Sequence, residues 1–484
     1  MLGSPNILSF LSLFLWVPVT AWLFKRFRPA EAVIWAVLLS INYLPEVVAI
    51  DPPLLPPMDK TSMAALWCFI ACLVKSPGRI KAAKPFRGID ILFIFMLIGN
   101  LGTSLTNGDT LVTGPIVRPA LSLYDSFALS IKDTLSIYLP FFIGRAMIRK
   151  RADLADMTRI LLSTGLVYTL LALFEIRMSP QLHHNIYGFH QMDFSMTLRF
   201  GGYRPMIFMQ TGMAVSMYLL GSSLMAMARW RAGLAKFWQI VYLPVIVVIC
   251  KSSGAVIYGI LLWPLVLMSK RFRILVPAAF SLIALLYPVL RGTDVFPADA
   301  LVEYAEGFNE ERALSLWFRF DQEKQLMDRA RERPLFGWGA YDRNRLFDPG
   351  TGEDLSITDG DWTIQLGTRG AIGFLGMYGM MTIPCILLFF RMRKLKSKGD
   401  RRLLAVLALF ASTITIDLLP NGLFNCLPLF LSGALHGLSI GLIQEQDRRA
   451  KRERAEKLAA KKKRREGQRP LAPASPSPKV APEA

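Results

Sequence analysis

The stretch "SITDGDWTIQLGTRGAIGFLGMYGMM", Ser356 to Met381, sets two carboxylates, Asp359 and Asp361, and a guanidinium, Arg369, directly before an apolar run. A carboxylate held beside a hydroxyl can accept its proton as a general base. Arginine is always charged, and its fork of donors suits phosphate or carboxylate. Arg199, Arg204, Arg312, Arg319, Arg343 and Arg345 lie in two long connecting segments, and Lys251 lies in "CKSSGAV". These cations could meet a lipid-linked diphosphate, and Asp359 or Asp361 could serve as base for a hydroxyl acceptor.

Each residue also has a structural reading. Thr358 and Asp361 fit a Thr-x-x-Asp capping box, and Asp359 would favour the helix dipole. Arg312, Arg329 and Arg331 read as surface charges paired with Asp321, Glu323, Asp328 and Glu332 on one helix. Arg319, and Arg204 at a span entrance in "FGGYRPMIF", fit either role. His183, His184 and His190 share one loop with no second cluster, so they read as loop contacts rather than metal ligands. The five cysteines all fall in apolar runs, without metal spacing or a disulfide framework. No metal and no cofactor are expected.

The elements that must position these groups are membrane helices. The 484-residue chain has 53% hydrophobic and 19% charged residues, fewer charges than the roughly 25% of soluble domains. Ala371 to Phe390 alone is long enough to cross the roughly 30 Å hydrocarbon core at about 1.5 Å per residue. Burying Asp359, Asp361 and Arg369 at mid-bilayer would cost roughly 2.5–3.5 kcal/mol each, which pushes them above the hydrocarbon, with Trp362 as an interfacial aromatic.

The pattern predicts an all-α polytopic bundle of about 12–13 spans with two large periplasmic loops. N-terminal spans occupy 1–175, a first large loop 176–204, middle spans 205–290, a second large loop with an amphipathic helix 291–370, C-terminal spans 371–443, and a basic, partly disordered cytoplasmic tail 444–484. Thirteen spans satisfy the alternation of Lys/Arg-rich and charge-poor loops, with the N-terminus outside and the C-terminus inside. The weak point is 235–269, where two short apolar runs are separated by "KSSG". The formal charge of +20 sits in short loops and the tail, so it speaks of topology and membrane lipid, not of nucleic acid.

The late loop carries Arg319, then "RPLFGWG", then "TDGDWTIQLGTRGAIGF" leading into a span. This order resembles the O-antigen ligase / polysaccharide polymerase superfamily of bacterial inner-membrane proteins. There, an arginine precedes a Pro-Leu-x-Gly-x-Gly turn, and a His-Asn … Gly-x-x-Gly segment opens the next helix. Pro334, Leu335, Gly337 and Gly339 match the turn; Gly370 and Gly373 match the later glycines. The family's histidine position falls on Asp359, a weaker base than histidine. Its Ser-Arg-Gly-Ala reads "SSGA" here, so its arginine falls on Ser253, with Lys251 nearby. These departures imply a divergent branch, closer to exopolysaccharide polymerases.

The resemblance implies a glycosyltransferase of the inner membrane using a polyprenyl-diphosphate-linked oligosaccharide, alongside other polysaccharide assembly proteins. Arg319 and Asp359 or Asp361 would be catalytic; Arg199, Arg204, Lys251, Arg343 and Arg345 would bind substrate. A transporter or flippase would instead place ionisable residues within spans, where Lys132, Asp133 and Asp417 are the candidates, all readable as near span ends. A non-catalytic assembly subunit is a further alternative.

Overall fold

A computed structural model describes residues 3–268, 272–307 and 309–467. The side chain of Arg312, the Lys270/Arg271 loop and the Pro-rich end of the tail from Pro470 lie outside the described residues. The molecule is an all-α helix bundle; the described strands form three two-stranded hairpins, none longer than three residues.

A helix occupies every segment expected to span. Among the described residues, seven helices are long and apolar enough to cross a membrane, eight if the bent pair Lys60–Lys75 and Pro77–Ala83 counts as one span. The chain is therefore a multi-pass membrane protein, but the count of thirteen exceeds what length and composition support. Pro29–Tyr43, Phe237–Ile249 and Ser253–Met268 have only 15, 13 and 16 residues. Gly212–Trp230 is almost wholly buried by other helices, so Ser216, Ser222 and Ser223 are tolerated and its hydropathy falls. The doubtful stretch 235–269 forms two separate helices, both packed on Gly212–Trp230.

The central packing joins Leu139–Met147 to Leu427–Gly467. Gly433, Gly437 and Gly441, four residues apart, face the carbonyls of Phe141, Arg145 and Arg149; a Cβ on any of them would lie within 2.5 Å of the facing oxygen. This is the small-residue packing by which membrane helices approach closely. The five cysteines are buried and free.

The amphipathic loop helix is present as Glu310–Arg331. Ala313, Leu326, Met327 and Ala330 are buried against the bundle. Arg329 pairs with Glu332 and Arg331 with Asp328, as local surface charges do.

Candidate functional site

Gly370, at φ 62° and ψ −172°, breaks the helix Asp361–Arg391 into segments 361–369 and 371–391. The turn "PLFGWG", 334–339, fills the break. Ala371 and Ile372 donate their amides to the carbonyls of Pro334 and Leu335, at 2.8 and 3.2 Å. Trp338 and Gly339 donate to the carbonyls of Gly367 and Thr368, at 2.8 and 2.9 Å. Backbone groups that a broken helix would leave unpaired are thereby satisfied. Glycine is required on both sides. A Cβ on Gly370 would lie 2.4 Å from the Leu335 carbonyl, and one on Gly337 would lie 2.5 Å from the Gly370 nitrogen. The two sequence motifs are one backbone structure.

Segment 361–369 separates two cavities. The first, about 540 Å³, has a mixed lining that includes the polar side chains of Lys60, Lys132, Asp133, Gln365, Arg369 and Asn425. Arg369 grips Asp133 with both terminal nitrogens, Nη2 to Oδ1 at 2.8 Å, and Asn100 donates to Asp133 Oδ2 at 2.8 Å. Arg369 Nε donates to Gln365 Oε1, Gln365 Nε2 to Asp361 Oδ1, both at 2.9 Å, and Tyr378 OH to Asp361 Oδ2 at 3.0 Å. Lys132 and Asp133 therefore lie inside the span Leu123–Met147, not at its end.

The second cavity, about 330 Å³, is bordered by Arg319, Gln322 and Glu323 of the loop helix, by Asp359 and by mainly apolar walls such as Tyr287 and Leu419. Arg319 Nε stands 3.4 Å from Asp359 Oδ2, with the two side chains 48% and 45% exposed. Glu323, expected to pair along its own helix, instead turns inward. It accepts from Tyr287 OH and Arg291 Nε at 3.3 Å and from Trp362 Nε1 at 3.4 Å. Burial pushes its carboxyl pKa up against the opposing pull of Arg291. Its spacing from Arg319, four residues, puts both on one helix face and is the signal that marks it as a cavity residue.

Arg199, Arg204 and Lys251 gather at the hairpin Leu198–Tyr203 and border neither cavity. Arg204 donates to Ser252 Oγ at 3.1 Å, and Lys251 to the Phe200 carbonyl at 3.3 Å. Burial, then the nearby Arg199 charge, push the Arg204 guanidinium pKa down, and its Nε has no partner.

Other expectations are corrected. Arg343 is fully buried and holds the carbonyls of Asp109 and Pro119 at 2.9 Å and the Asp109 carboxylate, so it anchors the 107–122 connection rather than substrate. Arg345 pairs with Asp354 at 2.7 Å and closes the following loop. Asp361 is 2% exposed and tied to Gln365 and Tyr378, which separates it from Arg319. No capping box forms, because Gly360 is the N-cap and makes no side-chain bond. Trp362 is buried against Tyr287 under the loop helix, not interfacial.

The first large loop is closed by two buried groups. Glu175 accepts the amides of Leu182, Met206 and Ile207. His183 bonds the Phe189 carbonyl through Nδ1 at 2.9 Å and accepts the Glu46 amide through Nε2 at 3.3 Å, so the ring is neutral. Burial pushes its pKa down to about 4. An unfolded histidine titrates near 6.5, so between these values the unfolded chain binds the extra proton. Stability should therefore fall as pH drops from about 6.5 toward 4, and His183→Gln should flatten that part of the melting-temperature profile relative to the native chain. Parallel profiles for the two proteins would contradict this.

No family model matches the chain, and no curated protein is significantly similar to it.

Proposed function

We propose that the chain is a glycosyltransferase of bacterial polysaccharide assembly, transferring a glycan from a polyprenyl diphosphate to a hydroxyl at the periplasmic face of the inner membrane. The observation that carries this reading is the Arg319–Asp359 pair at the edge of a largely apolar cavity between the loop helix and the bundle. The apolar walls suit an isoprenoid segment, and Arg319 suits its diphosphate. Charge parity of the short loops supports the orientation, N-terminus outside and C-terminus inside.

In the proposed step an incoming diphosphate takes the place of Asp359 on Arg319. The freed carboxylate accepts the acceptor's proton as its oxygen bonds to the anomeric carbon. The carbon–oxygen bond to diphosphate breaks, and the leaving group departs with the electron pair onto Arg319. Glu323, half-buried on the same wall, is the second carboxylate bordering that cavity among the described residues. The acceptor in this reading is another carrier-linked repeat unit, making the protein a polymerase; a lipid-core acceptor would make it a ligase.

Complementation of a deletion in the source cells tests the roles. Arg319→Ala and Asp359→Asn should each lower polymer yield by about a hundredfold, the size of a lost transition-state contact, with single repeat units accumulating on the carrier. Full-length glycan lacking its lipid-core attachment would identify a ligase. Normal chain length with Asp359→Asn would remove Asp359 as the base.

A second reading, a transporter for a polar or lipid-linked substrate, is favoured by one observation. The Asp133–Arg369 pair lies inside the bundle, beside a broken helix, where transporters place their charged groups.

A further inference from the structure

The two ends of the helix Lys398–Asp417 mark opposite ends of the bundle. Leu418 beyond one end bonds Asp361, and Lys396 before the other bonds Gln446. At the Gln446 end, away from the Arg319 cavity, Pro77–Ala83, the start of Arg151–Met178 and Leu427–Gly467 enclose an open recess of about 620 Å³. Four basic side chains border it: Arg79, Arg149, Lys150 and Arg448. Among the described residues that border it, Glu445 is the one acidic side chain, and it is engaged by Arg449 at 2.6 Å.

The Asp153 carboxylate behind the recess accepts the amides of Arg149 and Lys150 and lies 3.8 Å from Arg79. Arg79 also donates to the Met147 carbonyl at 2.7 Å, and Arg149 to Gln444 Oε1 at 3.4 Å. Lys150 and Arg448 have no ion-pair partner among the described residues. Burial and then the charges of Arg145, Arg79 and Arg448 push the Arg149 guanidinium pKa down, the signature of crowded like charge.

Cations held together around an open hollow favour a ligand with several anionic oxygens. Guanidinium forks and a lysine point charge together match phosphate. The recess lies at the ends of two candidate spans, Leu123–Met147 and Arg151–Met178, and basic groups at span ends attract anionic headgroups. We propose that this recess binds a phosphate-bearing anion, either the headgroup of an anionic phospholipid or a soluble phosphate compound.

The test uses the full chain in detergent, titrated with phosphatidylglycerol, with phosphatidylcholine of the same tails, and with inorganic pyrophosphate, while thermal unfolding is followed. A Lys150→Gln/Arg448→Gln variant removes two exposed charges that have no ion-pair partner among the described residues. Phosphatidylglycerol or pyrophosphate should raise the native chain's melting temperature saturably, phosphatidylcholine should not, and the variant should need at least about tenfold more ligand. A response to phosphatidylglycerol alone assigns a lipid headgroup; one to pyrophosphate, with or without the lipid, assigns a site open to soluble phosphate. No saturable response, or equal responses from native chain and variant, overturns the proposal.

Discussion

Asp133→Ala is expected to destabilise the protein by about 3–5 kcal/mol, the cost of stranding one charge of a buried pair. Asp133 is 1% exposed at its side chain and Arg369 13%. Without Asp133, Arg369 keeps Gln365 and the long contact to Asn100 at 3.5 Å, and Asn100 keeps only its longer bond to Ser130 Oγ at 3.4 Å. The loss should appear as a large drop in melting temperature and in folded yield. Asp133→Ala/Arg369→Met, which removes both charges, should recover much of it, because the penalty comes from the unpaired ion rather than from the pair's net worth. A single variant melting within about 1 °C of the native protein would show that the pair does not hold the broken helix in place.

Gly370→Ala is the other large effect. The backbone there lies in a region adopted almost only by glycine, at a cost of about 1–3 kcal/mol for other residues. The added methyl would also meet the Leu335 carbonyl at 2.4 Å, so the turn 334–339 must move. Its four backbone bonds to the half-helices would weaken together. A loss of at least about 3 kcal/mol is expected, with new proteolytic cleavage near 334–339. Gly108→Ala, with open space around it, is the control and should change stability by less than about 0.5 kcal/mol. Equal behaviour of the two variants would contradict the interlocked turn.

The fold was legible because span-length apolar runs announce themselves: every expected span carries a helix, and Glu310–Arg331 follows its amphipathic spacing. Span number was less legible, because Gly212–Trp230 is shielded by protein and carries serines that hydropathy reads as polar. At the site, the sequence brought out Arg319 and Asp359, and the structure sets them 3.4 Å apart. It could not sort the remaining charges. Whether Arg343 faces a substrate or Asp109 depends on a connection more than two hundred residues earlier in the chain. Asp133 and Arg369 likewise meet across 236 residues. The inward turn of Glu323 depends on Arg291 and Trp362 on other helices. Charge spacing reports neighbours along one helix, not across a bundle.

Release of the carrier tests the central claim most directly. The full chain would be reconstituted in liposomes with polyprenyl-diphosphate-linked repeat units from the source cells, and free polyprenyl diphosphate measured over time. The native protein should release carrier as longer glycan forms, and Arg319→Ala should slow that release by about a hundredfold while remaining folded. Carrier that stays glycosylated throughout, or intact glycolipid that merely crosses the bilayer, would contradict a glycosyltransferase and favour a transporter.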